Sequence, residues 1–160
     1  MRIRKRNRML GYDYSQDNLY FVTICVKDMV CTFGNVENQQ MILNDYGEIV
    51  KKQWFWLADQ YSYINLHAFV VMPNHIHGIV EIKRNNAVIE NQKIKSLSQI
   101  IGALKTTASK QIHLSGKPNF VWHRSFHDHI IRSEEAFEKI SNYIENNPMK
   151  WKGDKFSVSA

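Results

Sequence analysis

The hydrophobic and polar positions along the chain switch between a period of two, typical of strands, and a period near 3.6, typical of helices. Segments rich in aromatic and β-branched residues predict strands. In chain order these are Leu19–Lys27, a short strand around Cys31–Val36, Gln40–Leu43, Tyr63–Met72, His75–Ile82 and Ser125–Arg132. Apolar residues at helical spacing predict helices over about Tyr46–Gln60 with Asn44 as its cap, from Ser96 or Ser98 to about Leu114, and from Ser133 to near Pro148.

The order of these elements indicates the fold class. Only Pro73 and Asn74 separate Tyr63–Met72 from His75–Ile82, so those two strands must be antiparallel neighbours. The polar segment Asn85–Lys95 predicts a loop. Strands and helices alternate, with hairpins among them. We therefore expect an α+β fold in which helices pack on one face of an antiparallel sheet.

The composition is that of a globular protein. Hydrophobic residues make up 44% of the 160 residues and charged residues 22%, which is enough for one core. No apolar run approaches the roughly 20 residues of a membrane helix, and no apolar segment follows the basic N-terminus as a secretory signal requires. Cys25 and Cys31 are too few for a disulfide framework. We expect a cytoplasmic protein with reduced cysteines and no membrane partner.

Positive charge is concentrated in two separated stretches. The formal net charge is +6, and residues 1–8 carry five basic and no acidic residues, whereas residues 83–132 carry nine basic and two acidic ones. A polyanion such as DNA would explain both stretches. A solubilising tail and a solvated face explain them equally well.

The basic start of the chain predicts its domain organisation. We expect residues 1–10 to form a basic N-terminal arm and residues 11–160 to form a single domain. If the partner is DNA, the candidate phosphate contacts are basic residues of the arm and of the second basic stretch. These are Arg2, Arg4, Lys5, Arg6, Arg8, Lys105 and Arg132.

The strand His75–Ile82 carries two histidines at alternate positions. Side chains at i and i+2 of a strand point to the same face, so His75 and His77 project together and can act as paired metal ligands. Gly78 leaves room for a ligand or a backbone to approach closely. Two surface histidines on an edge strand would give the same pattern.

The last predicted helix carries a tyrosine and an amide one turn apart. Tyr143 and Asn147 are i and i+4 and share a helix face, at the edge of the apolar stripe. A tyrosine there commonly packs its ring and hydrates its hydroxyl. An asparagine before Pro148 commonly ends a helix. Each residue alone therefore has a purely structural explanation.

The histidine pair and this helix together indicate chemistry that neither indicates alone. A phenol, whose pKa is about 10, is a weak nucleophile at neutral pH and needs an electrophile polarised by a metal. His75, His77 and the amide oxygen of Asn147 would hold Mg²⁺ or Mn²⁺ with positions left for phosphate oxygens and water. Tyr143 would then form a phosphotyrosine ester.

Two other features stay without an assigned role. His127 and His129 have the same alternate spacing, on the strand before the last helix. They could contact phosphate or metal, but strand surface is the simpler explanation. Trp151 could stack on a base, although packing is simpler.

In these residues the chain resembles the HUH single-tyrosine transposases, and specifically their REP-associated branch. The resemblance runs over most of the chain. It rests on Gly11–Ser15 (GYDYS), Tyr20–Cys25 (YFVTIC), Met72–Gly78 (MPNHIHG), Val121–Trp122, His129–Arg132 (HIIR) and Tyr143–Pro148 (YIENNP).

The resemblance implies a ferredoxin-like fold and cleavage of single-stranded DNA beside a palindrome, leaving a 5′-phosphotyrosine and a 3′-hydroxyl. His75 and His77 match the HUH ligands, Tyr143 matches the nucleophile and Asn147 matches the third ligand. Insertion-sequence relatives often carry glutamine at that last position. The cofactor would be Mg²⁺ or Mn²⁺, and the partner single-stranded or hairpin DNA.

Three functions fit these patterns. The first is the transposase. The second is a hairpin-DNA-binding protein of the same fold that does not cut, and the retention of all four site residues argues against it. The third is a metal-dependent phosphodiesterase acting on a small nucleotide, and the two basic stretches argue against that. Family members act as monomers or as dimers that exchange helices, so a homodimer remains open.

Overall fold

The strands and helices follow the order that the hydrophobic pattern predicts. A computed structural model describes residues 18–84, 93–153 and 156–157. The strands are β1 (Leu19–Cys25), β2 (Gly34–Glu37), β3 (Gln40–Leu43), β4 (Ile64–Val71), β5 (His75–Ile82) and β6 (His127–Ile130). The helices are α1 (Asp45–Gln60), α2 (Leu97–Leu114) and α3 (Glu134–Glu145), with short 3-10 turns at Lys27–Met29 and Pro148–Gly153.

Each helix begins at a side chain that caps it. Asn44, Ser96 and Ser133 each accept a hydrogen bond from the backbone N–H three residues further on. On α2 the bond is reciprocal, because Gln99 also accepts from the backbone of Ser96. These bonds satisfy N–H groups that a helix leaves free. Of the two serines considered for α2, Ser96 is therefore the cap.

Four strands form one antiparallel sheet, in the order β4-β5-β1-β6, and β2 pairs separately with β3. The central strand β1 pairs with β5 along its whole length and with β6 on its other side. Along the chain, α1 lies between β1 and β4, and α2 lies between β5 and β6. The four strands of the sheet and these two helices therefore have the βαββαβ order of a ferredoxin-like fold. The predicted α+β class is confirmed.

The two faces of the sheet bury different helices. Val22 and Ile76 point into the larger core, which α1 and α2 cover. Ile79 points to the opposite face, where it packs with Phe137 and Ile144 of α3. We call this second side the α3 face. No described helix is long and apolar enough to span a bilayer.

The prediction that the helices pack on one face is therefore wrong for α3. The helices α1 and α2 connect strands of the sheet and cover the same face. Helix α3 follows the edge strand β6 and returns across the other face, against β4 and β5. It consequently lies on the side to which His75 and His77 project.

Several strands are shorter than predicted. β1 ends at Cys25 rather than Lys27, because Val26 leaves the strand to make an isolated bridge with Trp122, and Asp28 turns the chain with a φ of 57°. β6 covers only His127–Ile130. Most of the predicted loop Asn85–Lys95 lies outside the described residues.

Gly78 makes room for a side chain of the core rather than for a ligand. A Cβ at this position would lie 2.3 Å from Cη2 of Trp54, whose fully buried indole stacks on Phe69 with ring centroids 4.6 Å apart. Gly78 faces α1, on the side of the sheet away from the histidine pair. The functional interpretation of this glycine is therefore wrong.

We expect Gly78→Ala to destabilise the protein by about 1–3 kcal/mol, because the new methyl group overpacks the indole. Urea unfolding would measure the change. Gly102→Ala is the matched control, because Gly102 lies within α2 and a Cβ there meets nothing within 4 Å. That substitution should stabilise the protein by up to about 1 kcal/mol. Equal effects of the two substitutions would contradict the overpacking.

Candidate active site

The two histidines of β5 are buried side by side on the α3 face. His75 is 0% exposed and His77 is 1% exposed. They alternate with Ile76, which points into the core on the other face. The prediction that the pair shares a face is confirmed, whereas the alternative of surface histidines on an edge strand is wrong, since β5 lies between β4 and β1.

A neighbouring side chain orients each imidazole. Asn74 donates its amide N–H to the carbonyls of Phe156 and Met29, at 2.8 and 3.2 Å, so its Oδ1 faces the ring of His75. Nδ1 of His75 therefore donates to that oxygen, at 2.7 Å. On the other ring, Nδ1 of His77 lies 2.8 Å from the hydroxyl of Thr23.

These bonds aim the two Nε2 atoms at each other, 3.1 Å apart. With Nδ1 of His75 acting as a donor, Nε2 of its neutral ring carries a lone pair. Two ligands at right angles and about 2.1 Å from one cation would lie roughly 3 Å apart, which is close to the observed separation. The pair is thus arranged as two adjacent ligands of a metal ion. A hydrogen bond at Nδ1 orients each ring, as is usual for metal-binding histidines.

Tyr143 projects from α3 over this pair. Its ring centroid lies 5.3 Å from that of His77 and 6.2 Å from that of Phe21. Phe137 and Ile144 anchor the helix in the small core of the α3 face, while Tyr143 itself stays 37% exposed. A cavity of about 850 Å³ borders both Tyr143 and His77.

Asn147 lies just beyond α3 rather than within it. Helix α3 ends at Glu145, yet the turn continues, with the N–H of Asn147 donating to the carbonyl of Ile144 at 3.2 Å and its Nδ2 donating to that of Tyr143 at 3.4 Å. The side chain is 1% exposed. Its Oδ1 is buried and has no hydrogen-bond partner in the described part of the chain. Such an atom is costly unless something binds it.

The chain on both sides of Asn147 contacts the histidine pair. Tyr143 packs on His77, and the ring of Trp151 stacks on that of His75 with centroids 6.2 Å apart. Phe156 adds a second ring, 4.4 Å from that of His75. Trp151 is therefore a packing residue here, and together these rings bury the imidazole.

His75, His77 and Asn147 could hold a divalent cation. Across residues 18–84, 93–153 and 156–157, no group of three histidine, cysteine, aspartate or glutamate side chains is arranged to bind a metal. A cation bound by the two imidazoles would consequently need another kind of ligand. The unpartnered amide oxygen of Asn147 fits that need.

Of the candidate DNA contacts, Lys105 and Arg132 lie among the described residues. Lys105 donates through Nζ to the carbonyls of His123 and Ser125, at 2.7 and 3.1 Å, and burial lowers its pKa. Its ammonium therefore supports the segment before β6. Arg132 is exposed just after β6. The arm residues Arg2, Arg4, Lys5, Arg6 and Arg8 lie outside the described residues.

A second polar cluster on the α3 face is structural. Burial alone would raise the pKa of Glu81, but hydrogen bonds from His67 and Asn65, both 3.2 Å long, and the charges of His67 and Lys83 lower it overall. The ring of His67 also packs edge-on against Phe137 of α3, with centroids 5.7 Å apart. This cluster supports α3 at the end of β5 away from the histidine pair.

The sequence patterns missed the residues that orient the imidazoles. Thr23 reads as an ordinary β-branched strand residue, and only its register opposite His77 reveals its role. Asn74 reads as a turn residue beside Pro73. Phe156 is too distant in sequence for any local pattern to connect it with His75.

Comparisons of the sequence and of the fold connect this chain with known proteins. Residues 35–147 match a family model described as IS200-like transposase. A Haemophilus influenzae protein named only as uncharacterized is 35% identical over 168 residues, covering 97% of this chain and 93% of its own. Another protein of that organism, provisionally named a REP-associated tyrosine transposase, is 24% identical over 148 residues, covering 86% of this chain and 74% of its own.

Two solved structures share the fold. A REP-associated tyrosine transposase bound to a REP hairpin aligns with a TM-score of 0.59 and 18% identity, covering 94% of this chain and 74% of that one. A protein of Deinococcus radiodurans, provisionally named a transposase, aligns with a TM-score of 0.54 and 19% identity, covering 87% of this chain and 95% of that one.

This chain and these structures share a fold, and on one face of its sheet this chain carries a histidine pair with a tyrosine-bearing helix across it. The family model covers more than half of this chain, and the chain therefore belongs to the IS200-like transposase family.

Proposed function

We propose that this protein cuts and rejoins single-stranded DNA beside a hairpin, with a divalent cation as cofactor and Tyr143 as nucleophile. The main supporting observation is that two buried imidazoles aim their Nε2 atoms at each other, 3.1 Å apart, beside the ring of Tyr143. Each Nδ1 atom has a hydrogen-bond partner that fixes its ring, and the two Nε2 atoms lie as close together as two ligands of one cation would. A cation bound by both Nε2 atoms would account for this arrangement of the two rings.

His75, His77 and Asn147 would hold the cation. Imidazole nitrogens favour Mn²⁺, whereas amide oxygen and water favour Mg²⁺. The cation would supply Lewis acidity toward the phosphodiester oxygens. Asn74 and Thr23 keep the imidazole rings in place, and packing around the rings keeps bulk water out.

Tyr143 performs the bond exchange. Its phenolic oxygen forms a bond to phosphorus while the bond from phosphorus to the 3′ oxygen of the preceding nucleotide breaks. The phenol loses its proton to solvent, and the departing 3′ oxygen takes one up and becomes a hydroxyl. The 5′-phosphotyrosine ester keeps the energy of the phosphodiester. The 3′ hydroxyl of another DNA end can therefore attack this ester and release Tyr143. This reverse reaction joins the two DNA ends, which is strand transfer.

Single-stranded or hairpin DNA is the proposed partner. A protein with this fold was solved bound to a REP hairpin, and the two basic stretches of this chain suit a phosphate backbone. The cavity beside Tyr143 has a volume of about 850 Å³ and gives a strand access to the hydroxyl. We expect the protein to act in the cytoplasm.

The test is covalent capture of DNA. The protein is incubated with labelled hairpin oligonucleotides, copied from palindromes beside its gene, in Mg²⁺ or Mn²⁺, and is then run on a denaturing gel. A labelled protein band that requires the cation supports the proposal. Tight binding of the same hairpins without any adduct in either metal would instead identify a DNA-binding protein that does not cut.

The hydroxyl of Thr23 should matter for metal affinity. We expect Thr23→Val, which keeps the shape of the side chain, to weaken Mn²⁺ binding by about 10- to 100-fold, as is usual when a residue that orients a ligand is lost. Calorimetric titration would measure it. Thr107→Val is the control, because the bonds of that hydroxyl to described residues are with the carbonyls of Ala103 and Leu104, within α2. Unchanged affinity in Thr23→Val would mean that the ring of His77 is held by other contacts.

A further inference from the structure

The edge strand β6 carries two imidazoles that the proposed chemistry does not use. His127 and His129 are both exposed, and no hydrogen bond or ion pair involves either side chain within the described residues. Both border the cavity that Tyr143 and His77 share.

The register of the sheet puts these imidazoles in line with the proposed reaction centre. Thr23 of β1 lies opposite His77 on one side and opposite His127 on the other. Phe21 lies opposite His129 in the next row. Residues directly opposite each other on antiparallel strands project from the same face. Both histidines therefore extend the α3 face outward from the metal-binding pair.

The distance across the sheet separates the metal-binding pair from His127. Two strand spacings lie between the backbones of His77 and His127, which is roughly 10 Å. The ring of Tyr143 packs against Phe21 and His77, and the cavity that it borders extends to His127. A phosphate held by a cation on the histidine pair would therefore lie closer to His77 than to His127. A strand leaving the reaction centre toward the open edge of the sheet would cross both imidazoles.

We propose that His127 and His129 bind the sugar-phosphate backbone of the single strand next to the bond being cut, holding a neighbouring phosphate at the edge of the sheet. This inference rests on the proposed function, which supplies the reaction centre beside which the strand runs. Imidazole N–H groups donate to phosphate oxygens whatever the base. Asp128 also borders the cavity, but it lies opposite Val22, so strand alternation directs its carboxylate to the other face.

The test measures binding without cleavage, in the Tyr143→Phe background with Mg²⁺. The probe is fluorescein-labelled oligothymidine of twelve nucleotides. The double substitution His127→Ala and His129→Ala should raise Kd about tenfold, the size expected when hydrogen bonds to a charged group are lost at an exposed site. The control is His113→Ala with His123→Ala, which removes two exposed histidines that border a different cavity and should leave Kd within about twofold.

A second measurement identifies the group that is bound. Single neutral methylphosphonate linkages are placed in turn along the same oligonucleotide. One linkage should weaken binding to the protein that keeps both histidines and have little effect on the double variant, since the two changes remove the same contact. Equal losses in the two double variants, or additive effects at every linkage, would overturn the inference. If no covalent adduct forms but one linkage still affects binding only when both histidines are present, the proposed cleavage is refuted and the inference about His127 and His129 stands.

Discussion

Tyr143→Phe should abolish the covalent protein–DNA adduct while leaving the fold and DNA binding intact. The substitution removes one oxygen and keeps the ring that packs on Phe21 and His77. The hydroxyl sits on a side chain that is 37% exposed, so its loss should change the free energy of unfolding by no more than about 1 kcal/mol. Adduct yield on a denaturing gel should fall to the level without protein, because in the proposed reaction the hydroxyl of Tyr143 is the group that forms the ester.

The matched control is Tyr46→Phe. Tyr46 is a partly buried tyrosine on α1, which packs on the opposite face of the sheet. That variant should form adduct at the wild-type rate. If Tyr143→Phe still forms an adduct, or if mass spectrometry of the wild-type adduct locates the DNA on another residue, the nucleophile is not Tyr143.

Local patterns in the sequence were sufficient for the elements and for part of the site. Strand alternation correctly puts His75 and His77 on one face, because a period of two is a property of the extended backbone itself. The caps at Asn44 and Ser133 were equally predictable, since an N-cap bond spans only three residues, whereas the pattern left the cap of α2 open between Ser96 and Ser98.

Interactions between distant segments were beyond such patterns. The choice of face for α3 depends on where the chain turns after β6, and no periodicity within the helix encodes that turn. Gly78 was misinterpreted for a related reason. A glycine beside a histidine pair suggests a ligand, but β5 alternates, so Gly78 faces the core, where Trp54 fills the space.

The site also contains residues that only the tertiary structure could identify. Thr23 is 54 residues away from the histidine that it contacts, and Asn74 is held by the carbonyl of Phe156, 82 residues further along. The same register that brings Thr23 to His77 also brings His127 and His129 to the cavity, although ordinary strand surface was the simpler explanation of their spacing in the sequence.

Replacing either histidine of the pair should remove both cleavage and the effect of metal on stability. We expect His75→Ala and His77→Ala to reduce adduct formation to background. Each substitution also opens a space in a buried region, so activity alone would not separate lost chemistry from a disturbed fold. His75→Ala in addition leaves Oδ1 of Asn74 without its donor, which costs about 1–3 kcal/mol.

The effect of metal on stability distinguishes lost metal binding from a disturbed fold. A cation that binds only the folded state at a concentration one hundred times its Kd stabilises the protein by about 2.7 kcal/mol. The free energy of unfolding of the wild type should therefore rise by about this amount when Mn²⁺ is added. The curves of the two alanine variants should be the same with and without the metal, whatever their baseline stability. His113→Ala, an exposed residue on α2 whose ring bonds the carbonyl of Phe120, should keep the full shift. A shift of wild-type size in His75→Ala or His77→Ala would mean that the cation binds elsewhere in the protein.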